Sequence, residues 1–181
     1  MILDAVSHVN LRPLVGNDGA AVLAAFTSHP DMERQGQVTT IEEASRYVAT
    51  LTNPEGPHRP WALTTDDQLA GLVAISIDEV NRNGWFWYWM TAEARGRGWT
   101  KRAAATVADW ALRDGGVFRL ELGHRVNNPA SGAIARAAGF IKEGTEREKF
   151  LIAGQRIDVD IYARLATDPW PPYDPLEMVG S

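Results

Sequence analysis

Cysteine is absent from this 181-residue sequence. That excludes disulfides, thiolate metal sites and a cysteine nucleophile, and it is compatible with a reducing, cytoplasmic setting. Histidine is scarce: His8, His29, His58 and His124 stand far apart with no H-x-x-x-H spacing, so no metal site is expected. No stretch approaches the ~18 uninterrupted apolar residues of a membrane span. The start, Met1-Ile2-Leu3-Asp4-Ala5, lacks the basic and apolar regions of a secretory signal. No membrane partner is therefore expected. Positive charge is in deficit, with 18 Lys and Arg against 23 Asp and Glu, a net charge of −5. Nucleic-acid binding is driven by phosphate neutralisation, so this balance argues against such a partner. An acidic surface suits a cationic amine or a basic peptide, and equally it keeps a protein in solution.

What is present is ordinary globular material. With 45% hydrophobic residues the chain supports a core without staples, and its length fits one domain. Val9–Leu14 reads as a strand and Ala20–Ser28 as a helix, with Gly16-Asn17-Asp18 offering the N-cap. A second helix opens at Thr39–Glu43, where Thr40 and Glu43 have capping-box spacing, and Ile41, Ala44, Val48 and Leu51 follow its period. Strands follow at Trp61–Thr65, Leu69–Ile77 and Trp85–Met90, the last aromatic on both faces. A helix over Trp99–Arg113 stops at Asp114-Gly115-Gly116. After a strand at Val117–Arg125 comes a short helix with Asn128 as N-cap, Pro129 at N1 and Gly139 just past its end. Strands at Phe140–Leu151 and Gln155–Arg164 close the domain, residues 1–166. Residues 167–181 form a proline-rich tail that reads as an extended or disordered arm. The order β-α-α-β-β-β-α-β-α-β-β fits one mixed α/β (α+β) sheet with helices on its faces.

The chemistry gathers at Arg95-Gly96-Arg97-Gly98, between the aromatic strand and the helix at Trp99. Helix N-termini present unpaired N–H groups and partial positive charge, and glycines let an anion approach the backbone. Arg95, Arg97, Lys101 and Arg102 add formal charge. A P-loop is absent, and the dinucleotide fingerprint fails because its third glycine would fall on Lys101. An anion site and a plain basic turn both remain open on these residues alone.

Tyr88 through Gly98, then Asn128-Pro129-Ala130-Ser131 continuing to Ala138-Gly139-Phe140, then Lys142-Glu143-Gly144 with Gly154 and Asp158–Leu165, resemble three blocks of the GNAT acyltransferase superfamily. The branch they resemble is that of the ribosomal-protein N-terminal (RimJ/RimL-like) acetyltransferases. The resemblance implies a GNAT-like domain: a mixed, mostly antiparallel twisted sheet of about seven strands, helices on both faces, and a splayed central strand pair. It implies acetyl-CoA as co-substrate and a primary amine, either a peptide N-terminus or a small molecule, as acceptor. The diphosphate falls to the backbone amides from Arg97 to Lys101, so that Arg95, Gly96, Arg97, Gly98, Trp99, Thr100 and Lys101 are the cofactor loop. The pantetheine falls to backbone at Trp89, Met90 and Thr91 and to Asn128. Ser131 reprotonates the leaving thiolate. A homodimer is in keeping with the family.

Two departures accompany the match. Thr100 stands where the motif has Gly or Ala, and its hydroxyl either crowds the diphosphate or donates to it. Phe150 aligns with a carboxylate of the ribosomal-protein branch, leaving Glu121 and Glu148 as candidate bases; each also reads as an ordinary surface carboxylate. An α-amine, with pKa about 7.7–8.0, is roughly a tenth neutral at pH 7, whereas lysine is almost wholly charged. A weak base therefore favours terminal or low-pKa amines. Strand alternation sets Trp85, Trp87 and Trp89 on one face and Phe86, Tyr88 and Met90 on the other. One face must pack under helices, so core is the default there; the other is free to line a substrate cleft, with Tyr88 as the candidate substrate contact. Asn128 and Ser131 also read as a cap and its N3 partner. A catalytically silent acyl-CoA-binding module, or a phosphate site for another nucleotide, are the competing readings.

Overall fold

The structure is a computed structural model that describes residues 8–180. Met1–Ala5, read above for a targeting signal, lies outside them. The order is β1 (Val9–Pro13), α1 (Gly19–Thr27), α2 (Ile41–Leu51), β2 (His58–Thr65), β3 (Gln68–Asp78), β4 (Asn83–Met90), α3 (Trp99–Arg113), β5 (Arg119–Arg125), α4 (Pro129–Ala137), β6 (Ile141–Ile152), β7 (Gln155–Leu165) and β8 (Glu177–Met178). Short 3-10 turns lie at Gly16–Asp18, Pro30–Gln35 and Ala92–Ala94. The strands form one mixed α+β sheet in the order β6-β7-β5-β4-β3-β2-β1-β8. The β1–β2, β5–β7 and β6–β7 pairs are antiparallel, and the β4–β5 and β1–β8 pairs are parallel.

Local chemistry accounts for the boundaries. Thr40 Oγ1 accepts from the Glu43 N–H at 3.2 Å and Glu43 Oε2 accepts from the Thr40 N–H at 3.2 Å, so both orphan donors at the start of α2 are satisfied. Ala44, Val48 and Leu51 are buried, while Ile41, expected on the same stripe, is exposed at the first turn. Asp66 and Asp67 both have positive φ, 47° and 64°, the signature of a two-residue type I′ hairpin between β2 and β3. One expectation is corrected. Asp18 is the N-cap of α1 but makes no side-chain cap bond. Its carboxylate is taken instead by Arg12, at 2.8 and 2.7 Å, and by the Val15 N–H at 2.8 Å. A charge-assisted bidentate pair outcompetes a cap.

The chain divides into two compact units. One holds residues up to Ala74, Tyr88–Trp99 and the chain from Leu176; the other holds Ile75–Trp87 and Thr100–Pro175. The first is built on Leu11, Val22, Phe26, Val48, Leu63, Leu72 and Trp89. The second is built on Phe86, Ala103–Ala105, Val107, Leu120, Leu122, Phe140 and Tyr162, with Arg164 sunk into it at 1% exposure. Arg164 Nη1 donates to the Ala138 carbonyl at 2.9 Å. Its Nη2 lies 2.7 Å from Asp109 Oδ1, an ion pair too oblique to be a hydrogen bond.

The proline-rich arm is held along its length. Within the second unit Trp170 lies under the guanidinium groups of Arg113 (4.0 Å) and Arg164 (4.8 Å). Asp174 pairs with Arg102 at 2.7 Å. Within the first unit Leu176 is buried, and β8 pairs with β1 through Asn10↔Glu177 and Leu11↔Met178. This docking supplies the eighth strand, one more than the pattern of hydrophobic runs suggests.

The feature that positions a site is a short ladder. β4 and β5 pair only over Asn83↔Arg119, Gly84↔Leu120 and Trp85↔Glu121. β4 then continues to Met90, while β5 stays laddered to β7 as far as Arg125↔Val159.

Candidate active site

The loop Arg95–Gly98 leads directly into α3. Gly96 and Gly98 have φ of +78° and +79°, and a Cβ on either would meet nothing within 4 Å. Glycine is thus required here by backbone conformation and not by crowding. The first turn of α3 follows this loop directly. The four nearby cations divide into two pairs. Arg97 is exposed, with its guanidinium 5.0 Å from the centroid of the half-buried Trp99 ring, and Lys101 is exposed. Arg102 is committed to the arm, donating to the carbonyl oxygens of Asp174 (2.9 Å) and Pro175 (3.4 Å). Arg95 turns back toward Met90, Asp31 and Met32. Thr100 is half-buried in the first turn of α3.

The end of β4 is fixed from behind. The Thr91 N–H donates to the Ala70 carbonyl of β3 at 2.9 Å. Successive residues of a strand send their N–H groups to opposite edges, so the Met90 N–H points away from β3. A Cβ at Gly71 would lie 2.5 Å from Met90 Sδ and 2.7 Å from the Trp89 carbonyl oxygen; β3 can lie this close to β4 only with glycine there. Trp89 itself is a core side chain. Its indole Nε1 donates to the Tyr47 hydroxyl at 3.1 Å and its ring meets Phe26 edge-on at 5.4 Å. Burial pushes the Tyr47 hydroxyl pKa up to about 12.

On the second unit, Asn128 caps α4. Its Oδ1 accepts from the Ser131 N–H at 3.3 Å, and its Nδ2 donates to Ser131 Oγ at 3.2 Å. Ser131 is half-buried, so the cap and the candidate proton donor are one hydrogen-bonded pair. Behind them is a side chain that pattern reading passed over. His124 on β5 is buried, its Nδ1 2.9 Å from the Arg125 carbonyl, its Nε2 without a partner. A Cβ at Gly132, the residue after Ser131, would stand 2.8 Å from that Nε2. Alternation on β5 was the available signal: His124 shares the face of Leu120 and Leu122.

The candidate bases sit apart from one another. Glu121 Oε1 accepts from Arg119 Nε at 2.6 Å, and Arg119 also holds Glu143 at 3.0 and 2.5 Å. That grip holds the Glu143 carboxyl pKa below its ordinary value. Any proton-accepting role for Glu121 must compete with Arg119. Glu148 is exposed at φ 54° in the bulge between Glu146 and Phe150, where its N–H donates to Asp158 Oδ1 at 2.7 Å. Phe150 is exposed as well. Tyr88 is half-buried and shares a strand face with Phe86, which packs on Phe140 at 5.3 Å. Among the described residues no group of three or more His, Asp or Glu is placed to hold a metal ion, and no helix is long and apolar enough to cross a membrane.

A loop with two left-handed glycines leads into α3, and an asparagine caps α4. The Acetyltransferase (GNAT) domain family matches residues 8–141, and this chain belongs to it. It is a GNAT N-acetyltransferase family enzyme. Among its distant relatives, the putative ribosomal N-acetyltransferase YdaF of Bacillus subtilis (strain 168) is 26% identical over 141 residues, 77% of this chain and 74% of that protein. The ribosomal-protein-serine acetyltransferase of Escherichia coli (strain K12) is 25% identical over 133 residues, 71% of this chain and 74% of that one. In fold, the spermidine N-acetyltransferase of Vibrio cholerae, solved in complex with CoA and spermine, superposes with a TM-score of 0.78 at 20% identity, covering 89% and 97% of the two chains.

Proposed function

We propose that this enzyme uses acetyl-CoA to acetylate a primary amine by direct attack in a ternary complex. The observation that carries the reading is the pair of left-handed glycines, Gly96 and Gly98, opening the N-terminus of α3 at the end of β4. In this account the amides from Arg97 to Lys101 hold the diphosphate, with the exposed Arg97 and Lys101 adding formal charge. Backbone at Trp89–Thr91 and the side chain of Asn128 hold the pantetheine.

Chemically, a neutral amine attacks the thioester carbonyl. The carbonyl oxygen gains charge, and the Met90 N–H, directed away from β3, is suited to donate a hydrogen bond to it. The C–S bond then breaks, the departing sulfur takes the proton of Ser131 Oγ, the amine nitrogen loses a proton to water or to Glu121, and Ser131 regains its proton from solvent water. Asn128 orients Ser131 through the 3.2 Å bond between their side chains. The Glu148 alternative is weakened by its exposed, bulged position.

The acceptor is a peptide N-terminus or a small amine. Titrating kcat/KM against pH separates a peptide N-terminus or other low-pKa amine from lysine and from alkyl amines such as spermidine. For an α-amine the profile levels off near pH 8, whereas a lysine acceptor makes it climb toward about pH 10. The direct test of activity follows thiol release from acetyl-CoA with seryl- and alanyl-initiated peptides and with spermidine. Turnover with at least one supports the reading, and Ser131→Ala is expected to lower kcat about tenfold or more while leaving the CoA dissociation constant unchanged. Saturable CoA binding with no turnover across the panel contradicts it and leaves a binding module.

A further inference from the structure

Arg95 opens the glycine loop, where a phosphate ligand is expected, yet its guanidinium faces the other way. Its Nε donates to the Met90 carbonyl at 3.3 Å, its Nη1 pairs with Asp31 Oδ2 at 3.4 Å, and its Nη2 meets Met32 Sδ at 3.4 Å. Asp31 and Met32 belong to the 3-10 turn Pro30–Gln35 that follows α1. Met32 is 1% exposed, so the turn is anchored by burial at one residue and by charge at the residue before it. Each contact is weak alone, being long and partly solvated. Together they use three separate directions of a rigid fork, which an ammonium group cannot do.

The same turn helps frame a cavity of about 590 Å³, with Phe26, His29, Pro30, Val38 and Glu43 on its walls. Phe26 stands edge-on to Trp89, the residue before Met90. One side chain therefore braces both the last carbonyl of β4 and a wall of the cavity behind Trp89. Glu43, also on its walls, accepts from Thr39 N–H, Thr39 Oγ1 and Thr40 N–H, and these bonds hold its carboxyl pKa below the usual range. The cavity thus presents a fixed anion to whatever enters.

We propose that Arg95 is a positioning residue on the amine side of the reaction and not a ligand of the cofactor phosphates. It holds the turn at residues 30–35 against the end of β4 and so sets the shape of the cavity that receives a cationic amine. This rests on the acetyltransferase reading above. The test compares wild type with Arg95→Met, Asp31→Asn, the double variant and Arg95→Lys, using Arg97→Met as the phosphate-side control. Three quantities are read: hydrogen exchange at residues 29–38, the CoA dissociation constant by calorimetry, and KM and kcat for whichever of spermidine or a seryl-initiated peptide wild type acetylates faster. Arg95→Met should speed exchange about tenfold, Asp31→Asn by less, and the double variant no more than Arg95→Met alone, because the Asp31 contact is one of the three that Arg95 makes. CoA affinity should stay within about twofold while the amine KM rises about tenfold at nearly constant kcat, and Arg95→Lys should restore only part of the loss. Unchanged exchange at 29–38, or CoA affinity falling about tenfold in Arg95→Met but not in Asp31→Asn, overturns the proposal. If wild type does not bind CoA at all, the acetyltransferase reading fails, while the exchange data still report on the Arg95 brace.

Discussion

Asp18 combines a structural and an electrostatic task on one carboxylate. Burial acts to raise its pKa, but the hydrogen bonds from Arg12 and Val15 and the charge of Arg12 outweigh burial and lower it. The folded pKa therefore lies below the unfolded value of about 3.9. The unfolded state binds more protons just below that value, so the stabilisation is fully present above about pH 5 and disappears as pH falls through the folded pKa. Asp18→Asn should cost about 2 kcal/mol at pH 7 in urea unfolding, with the gap to wild type closing toward pH 3. A gap independent of pH would mean that packing, and not the ion pair, is what the carboxylate supplies. This role could not be read from sequence. Asp18 stands where an N-cap belongs, and only the fold brings the Arg12 fork onto it. Arg95 and Asp31 teach the same lesson over a separation of 64 residues, since nothing local tells a phosphate-binding arginine from one turned inward.

At the scale of elements, punctuation made much of the chain legible. α3 runs from Trp99 to Arg113, as read, because glycine precedes it and Asp114-Gly115-Gly116 follows. α4 carries its Asn128 cap, its Pro129 and a Gly139 at φ 82° just beyond its end. The glycine loop was legible for the same reason: two glycines before a helix imply unusual backbone and open amides. What escaped was the fit between elements. Gly71 and Gly132 look idle in sequence, yet each lets a neighbour approach where a methyl would collide. The loop glycines differ from these, because nothing crowds them. Gly98→Ala should therefore fold normally but force φ away from +79° or strain it, at about 1–2 kcal/mol. The expected result is CoA binding weakened about tenfold by calorimetry with a near-native thermal transition. Undiminished affinity would mean that the amides do not need that conformation. Gly132→Ala should instead displace either the His124 ring or the first turn of α4, and so reduce kcat through Ser131 and weaken CoA binding through Asn128, read by steady-state kinetics and calorimetry.

For the whole molecule, the arm is the least local feature. Prolines made residues 167–181 read as extended, and residues 169–176 do lack regular structure. Its anchors, Trp170 and Leu176, are single apolar residues in a polar, proline-rich context, too sparse to register as a periodic pattern. Leu176 is buried at 4% exposure. Leu176→Ala should cost about 2–3 kcal/mol and lower the thermal midpoint by about 5–10 °C. A midpoint shift under about 1 °C would show the arm to be dispensable. The mixed sheet, by contrast, was legible from element order alone, because the β-α-α-β-β-β-α-β-α-β-β succession leaves few ways to bury both helix pairs.

The measurement closest to the centre of the account is an amide NMR titration of the protein with acetyl-CoA. Saturable binding with its largest shifts at Gly96, Arg97, Gly98, Trp99, Thr100 and Lys101 is the predicted result, with Arg95 amide changes small. No saturation, or shifts concentrated away from the residues 96–101 segment, would contradict the assignment of the diphosphate to this loop.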